Sequence, residues 1–161
     1  MAPVGRALEN DRDNPCFGCG PRNPRGLHLR FYRQGRGVVS EKIFPASYSG
    51  WPGVVAPAMT FQALCCGTWW AVYARARRIG TSIGWRYKIT GVARIGATVR
   101  VTGRVVRQHA SEIVARSEVK EDGRLLGWME QRVRMSGSRK EFQNAFPDVQ
   151  MTTAMKRILP P

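Results

Sequence analysis

The chain has 161 residues, 43% of them hydrophobic, which fits one domain with a real core and excludes a disordered chain. No apolar run approaches the roughly 20 residues of a membrane-spanning helix, and the opening MAPVGRALENDRDNP lacks the apolar stretch of a signal peptide, so a cytoplasmic location without structural disulfides is expected. The formal net charge is +15, with only 5 lysines among 26 basic residues. Such a field favours anionic partners, but the bases form no dense run and no interleaved aromatic motif, which argues against nucleic-acid binding.

Residues 1–14 are polar and are expected to form a flexible N-terminal segment. NPCFGCGPRNPRG follows, a Gly- and Pro-dense loop carrying Cys16 and Cys19 as C-x-x-C. One such pair supplies two of the four ligands of a structural zinc. No second pair has matching spacing, so no metal is assigned. The alternatives are a tight packed loop, a zinc shared across a dimer, or one completed by His28. LHLRFYR alternates Leu27, Leu29 and Phe31 against His28, Arg30 and Tyr32, a strand pattern, and GVVSEKIF (37–44) predicts a second strand. PASYSGWPG reads as a loop.

Residues 57–78 predict one long helix, with Pro57 at its start and Gly80 as its stop. It is apolar almost all round and is therefore expected to be buried. Cys65 and Cys66 fit there as small core residues. Strand follows strand after it. Val99, Val101 and Val105 alternate with Arg100, Thr102 and Arg104, and the Asp-Gly of EDGR signals a hairpin. Residues 136–161 read as a peripheral C-terminal extension to a domain at 15–135. The class is α+β, a curved antiparallel β-sheet wrapped around one long central helix. Such a single-layer sheet leaves an edge that a second copy would protect.

Three stretches carry a resemblance: NPCFGCGPRNPRGLHLRF (14–31), GWPGVVAPAMTFQALCCGTWWAV (50–72) and the strand run at 91–135. Together they resemble the hotdog-fold superfamily, in its PaaI-like acyl-CoA thioesterase branch. The resemblance implies a homodimer or tetramer acting on an acyl thioester, with coenzyme A or phosphopantetheine as part of the substrate and no separate cofactor. An acidic carrier protein is an implied partner. The family pattern places His-Gly-Gly at the loop–helix junction and an acid on the helix. Here Ala56, Pro57 and Ala58 stand at the first three positions and Cys65 at the fourth, and no Asp or Glu occurs from Lys42 to Ser111.

Substitute chemistry then falls to Gln62, Thr60 and Cys65, with the backbone N–H groups of Ala58 and Met59 polarising a thioester carbonyl. Cys65 is the nucleophile candidate, and Thr60 and Gln62 are candidates for orienting a carbonyl or a water. Trp51, Ala56 and Trp69 are expected to line an apolar acyl pocket, and Arg86, Lys88 and Arg94 to hold phosphates. Two other readings stay open. One is a biosynthetic tailoring enzyme, a cyclase, lyase or dehydratase, using the same cleft. The other is a binding module that retains acyl groups or a carrier protein without turnover.

Overall fold

The structure is a computed structural model that describes residues 6–161. Its strands are β1 (Tyr32–Gln34), β2 (Gly37–Ile43), β3 (Ser49–Trp51), β4 (Val54–Val55), β5 (Gly80–Ile89), β6 (Thr98–His109), β7 (Glu112–Glu121) and β8 (Arg124–Met135). Its helices are α1 (Pro57–Ala76), α2 (Arg139–Ala145) and α3 (Thr153–Ile158). Six strands form one antiparallel sheet in the order β1-β2-β6-β7-β8-β5, and β3 and β4 make a small separate hairpin. Register shifts at Ser82/Gly84 in β5, Val105/Arg107 in β6 and Val119/Lys120 between β7 and β8 add local twist. The sheet thus curves around α1. No helix among the described residues is long and apolar enough to cross a membrane.

The alternation read from the sequence sorts the sheet's two faces. Val99, Val101, Ile113, Ala115, Val119, Met129 and Val133 are buried against α1. The opposite face carries cross-strand ion pairs, among them Arg86–Glu130 at 2.6 Å and Arg132–Glu112 at 3.0 Å. Part of the arginine surplus thus stands on a solvated sheet face, where each pair contributes little to stability. The EDGR turn holds Asp122 and Gly123 at φ 49° and 79°, as a tight hairpin requires.

Helix α1 lies close on the sheet because glycine meets glycine. A Cβ on Gly103 of β6 would stand 2.1 Å from the carbonyl oxygen of Gly67 in α1, and one on Gly67 would stand 2.9 Å from Cβ of Ser117. Polar groups cross the same interface. The Gln131 amide on β8 bridges the Thr68 hydroxyl on α1 and the Ser82 hydroxyl on β5, and the Ser117 hydroxyl donates to Leu64 O at 2.7 Å.

Four expectations change. The helix ends at Arg77, which takes the left-handed cap at φ 52° with its N–H on Tyr73 O. Gly80 instead opens β5, where a Cβ would strike Arg134 O at 2.3 Å. The segment LHLRFYR pairs with β2 only from Tyr32 onward. Upstream, Leu27 and Leu29 donate their N–H groups to Phe17 and Gly18 carbonyls of the cysteine loop at 2.7 and 2.9 Å. PASYSGWPG is less irregular than a plain loop, since it contains a 3-10 turn at Ala46–Tyr48 and strand β3. Of the segment expected to be flexible, residues 1–5 lie outside the described residues. Residues 6–14 are tied down: Leu8 donates to Phe31 O at 2.7 Å and Asn10 to Cys19 O at 2.6 Å.

Glu121 gives the fold an acid-sensitive joint. Its side chain is only 2% exposed and receives the Arg94 N–H at 2.8 Å and the Arg94 Nε at 2.5 Å. Burial opposes its ionisation, but the Arg94 backbone N–H and guanidinium outweigh it, so the carboxyl lies below its ordinary 4.5. A depressed carboxyl stabilises the folded state above its unfolded value and loses that contribution as pH falls through the folded one. Thermal melts from about pH 7 to pH 3 should therefore show the wild type losing Tm below 4.5. Glu121→Gln should start lower at neutral pH and fall less; parallel curves would remove Glu121 as a source of the loss.

Candidate functional site

One face of α1 is left uncovered by the sheet. Gln62, Cys65, Cys66, Trp69, Trp70 and Tyr73 follow helical spacing and line a single cleft of about 1930 Å³. The opposite wall comes from His28 and Arg30 of the extended segment, from Ser82 and Trp85 of β5, and from the C-terminal tail. That tail is more than a peripheral extension. Phe142, Phe146 and Met155 line the cleft, and Phe142 itself is buried. Its helices are capped by their own sequence: Ser138 accepts from the Glu141 N–H, Glu141 reaches back to the Gly137 N–H, and Thr152 accepts from the Met155 N–H. Asp11 also receives the Ala154 N–H at 3.4 Å, which ties the N-terminal segment to α3. The Asp11 carboxyl is held below its usual value, chiefly by the hydrogen bond from Thr152.

The cysteine loop contributes Cys16, Cys19 and Pro21 to the cleft wall. Asn14 Oδ1 accepts the Cys16 N–H at 2.9 Å, and Cys16 O accepts the Gly20 N–H at 2.8 Å, so the chain turns sharply over C-F-G-C-G. This turn carries Cys16 and Cys19 onto α1 beside Cys66. The three Sγ atoms lie within 4.8 Å of one another, and Cys16 and Cys66 are 3.9 Å apart. Gly18 is required there, because a Cβ would stand 2.2 Å from Cys66 Sγ and 2.8 Å from Gln62 Nε2. Cys16 is the most acidic of the three: hydrogen bonds from Cys19 and Cys66 hold its thiol far below the ordinary value. The same contacts push Cys19 and Cys66 up.

The sequence candidates divide sharply in space. Gln62, Cys65 and Trp69 line the cleft, and Gln62 Nε2 lies 3.6 Å from Cys66 Sγ. Thr60 is buried on the sheet-facing side, away from it. Cys65 contacts Met129 Sδ at 3.8 Å. Burial pushes its thiol up to about 11, so it is a protonated group rather than a ready nucleophile.

Ala58 and Met59 stand at the helix start outside the cleft, and the Met59 N–H is already donated to Ala56 O at 2.9 Å. That N–H is closed to a substrate oxyanion. Trp51 is 78% exposed on the β3–β4 hairpin, and Ala56 is the residue preceding α1, so neither lines the cleft. Arg86, Lys88 and Arg94 also lie outside it: Arg86 pairs with Glu130, and Arg94 with Glu121 and Asp122. The cations that do line it are Arg6, Arg12, Arg30, Arg78 and Arg157. Sequence spacing could not have found these, because they converge from both termini, from the extended segment and from the end of α1. Glu9, Asp11 and Asp13 of the N-terminal segment place carboxylates on a cleft whose helix has none.

No protein-family model matches the chain, and no curated protein sequence matches it. Solved structures do. Zebrafish thioesterase superfamily member 2 superposes with a TM-score of 0.62 at 16% identity, over 71% of this chain and 88% of that one. The Escherichia coli PaaI protein from the phenylacetic acid degradation operon gives 0.63 at 12% identity, over 69% and 81%. A mutant of the phenylacetic acid degradation protein PaaI from Thermus thermophilus gives 0.60 at 16%, over 67% and 93%. These share the arrangement described above, an antiparallel sheet curved around a long helix. The chain therefore has the hotdog fold of the thioesterase superfamily and the PaaI proteins.

Proposed function

We propose that the protein binds an acyl thioester, acyl-CoA or a carrier-bound acyl group, in the cleft along α1. One observation carries this reading. On a hotdog fold, the open face of the central helix lines a cleft with apolar walls (Trp69, Trp85, Phe142) and several arginines, among them Arg30 and Arg78. The apolar walls suit an acyl chain and the arginines suit phosphates. Gln62 is the side chain on α1 best suited to hold a thioester carbonyl or a water.

A second reading is binding without turnover, or a shape-directed tailoring step. It is favoured by the absence of any carboxylate on α1 and by the protonated thiol of Cys65. A homodimer fits both readings, because β5 ends the sheet with Trp85 and Tyr87 more than half exposed.

Thiol release from a panel of acyl-CoA esters, paired with calorimetric binding, separates these readings. Gln62→Ala should lower thioester turnover or affinity at least tenfold, about 1.4 kcal/mol, whereas Cys65→Ala should change either less than about threefold. Loss of turnover in Cys65→Ala with Gln62→Ala unaffected would restore a covalent route. Binding without thiol release selects the second reading, and no binding of any acyl-CoA or acyl-carrier ester rejects both. Light scattering on the same samples should read two chains per particle.

A further inference from the structure

Three thiols from two distant parts of the chain converge on the wall of the cleft. Tetrahedral zinc–thiolate geometry, with bonds near 2.3 Å, sets its sulfurs about 3.8 Å apart. Cys16 and Cys66 already stand at 3.9 Å, and Cys19 completes a triangle within 4.8 Å. The loop is shaped for this convergence. Gly18 has no Cβ where one would strike Cys66, and Gly20 has none where one would strike Asn14 O at 2.3 Å. A disulfide would use two of the sulfurs and leave the third buried beside them.

We propose that Cys16, Cys19 and Cys66 bind a thiophilic divalent cation, zinc in the simplest case, with the fourth position open toward the cleft beside Gln62. The Gln62 side-chain amide lies 3.6 Å from Cys66 Sγ and 4.0 Å from Cys16 Sγ, and Gln62, Cys16, Cys19 and Cys66 all line the cleft. Each thiol releases its proton to solvent as it binds, so three thiolates and the dication carry one net negative charge. The arginines along the cleft offset that charge. His28 lines the same cleft but lies outside the thiol group, so it does not complete the set. The site does not depend on the thioester reading, because metal uptake needs no acyl ligand.

The full chain, reduced and stripped with a chelator, should take up one equivalent of zinc and keep it through desalting, as read by elemental mass spectrometry. Cobalt(II) in its place should give intense thiolate-to-metal absorption and tetrahedral visible bands. A small thiol such as 2-mercaptoethanol should shift those bands by entering the open position. Cys19→Ser and Cys66→Ser should each lose stoichiometric uptake, while Cys65→Ser keeps it. Cys19 is only partly buried, so its variant tests the site even where Cys66→Ser folds poorly, with circular dichroism as the check. A reduced wild-type chain that retains no zinc overturns the site, as does uptake that survives Cys19→Ser. A cobalt spectrum indifferent to added thiol overturns the open fourth position.

Discussion

Alanine at Gly103 lowers the unfolding free energy by about 1–3 kcal/mol, the usual cost of overpacking a tight interface. The added methyl would stand 2.1 Å from Gly67 O, 2.8 Å from Gly67 C and 3.1 Å from a Val38 methyl. The first two contacts are helix backbone, which cannot rotate aside like the end of a side chain. Relief requires α1 to lift from β6, and that motion opens the contacts of Leu64, Ala71 and Val101 as well. Gly84 is the matched control, because a Cβ there meets nothing within 4 Å and its φ is not positive. Urea unfolding should give a large drop in midpoint for Gly103→Ala and almost none for Gly84→Ala. Equal effects would mean that glycine's flexibility in the unfolded chain, rather than the helix–sheet contact, sets the cost.

The second large effect concerns the bridge through Gln131. This side chain is 1% exposed and links Thr68 of α1 to Ser82 of β5. Gln131→Leu is close in volume but removes the two hydrogen bonds to Thr68 and Ser82, each contributing about 0.5–1.5 kcal/mol. Thr68 is less affected, because its hydroxyl also reaches Cys65 O at 2.8 Å. Thr68→Val combined with Gln131→Leu should therefore be less destabilised than the two single variants added together. A coupling of about 0.5–3 kcal/mol is the range for groups in one network. Strict additivity in a double-mutant cycle would show that the two side chains are neighbours without a shared energy.

The parts of this fold set by local periodicity could be read from the sequence, and the parts set by distant approach could not. Alternation at Val99, Val101 and Val105, the apolar circumference of α1 and the Asp-Gly turn each follow from a few adjacent residues, and all three appear in the structure. The stop of α1 lies at Arg77 and not Gly80, because a glycine near a helix end has two possible uses. At Gly80 the close approach of β8 decides between them, and that neighbour lies far downstream in the sequence. The thiol group was half visible. In sequence, Cys16 and Cys19 stand as a pair without partners and Cys66 as a core residue, because only the fold brings position 66 against the loop. The cleft arginines likewise meet only through the fold, whereas Arg86 and Arg94 pair with acids on adjacent strands and loops. Gln62, Cys65 and Trp69 share the cleft because helical spacing puts them on one face of α1, which a few adjacent residues make legible.

The order of strands in the sheet also bears on how the chain reaches this state. Strands β6, β7 and β8 are joined by tight turns and pair with their sequence neighbours, so this meander closes only short loops. Strands β2 and β5 add to its two opposite edges, and α1 lies between them in sequence. Each of these edge closures joins segments well separated along the chain, and loop-closure entropy must be met before their contacts contribute. The helix is enclosed only when both have formed. The non-local contacts of the fold are therefore concentrated in these two edge closures, and it is contacts of that kind that slow the folding of a sheet.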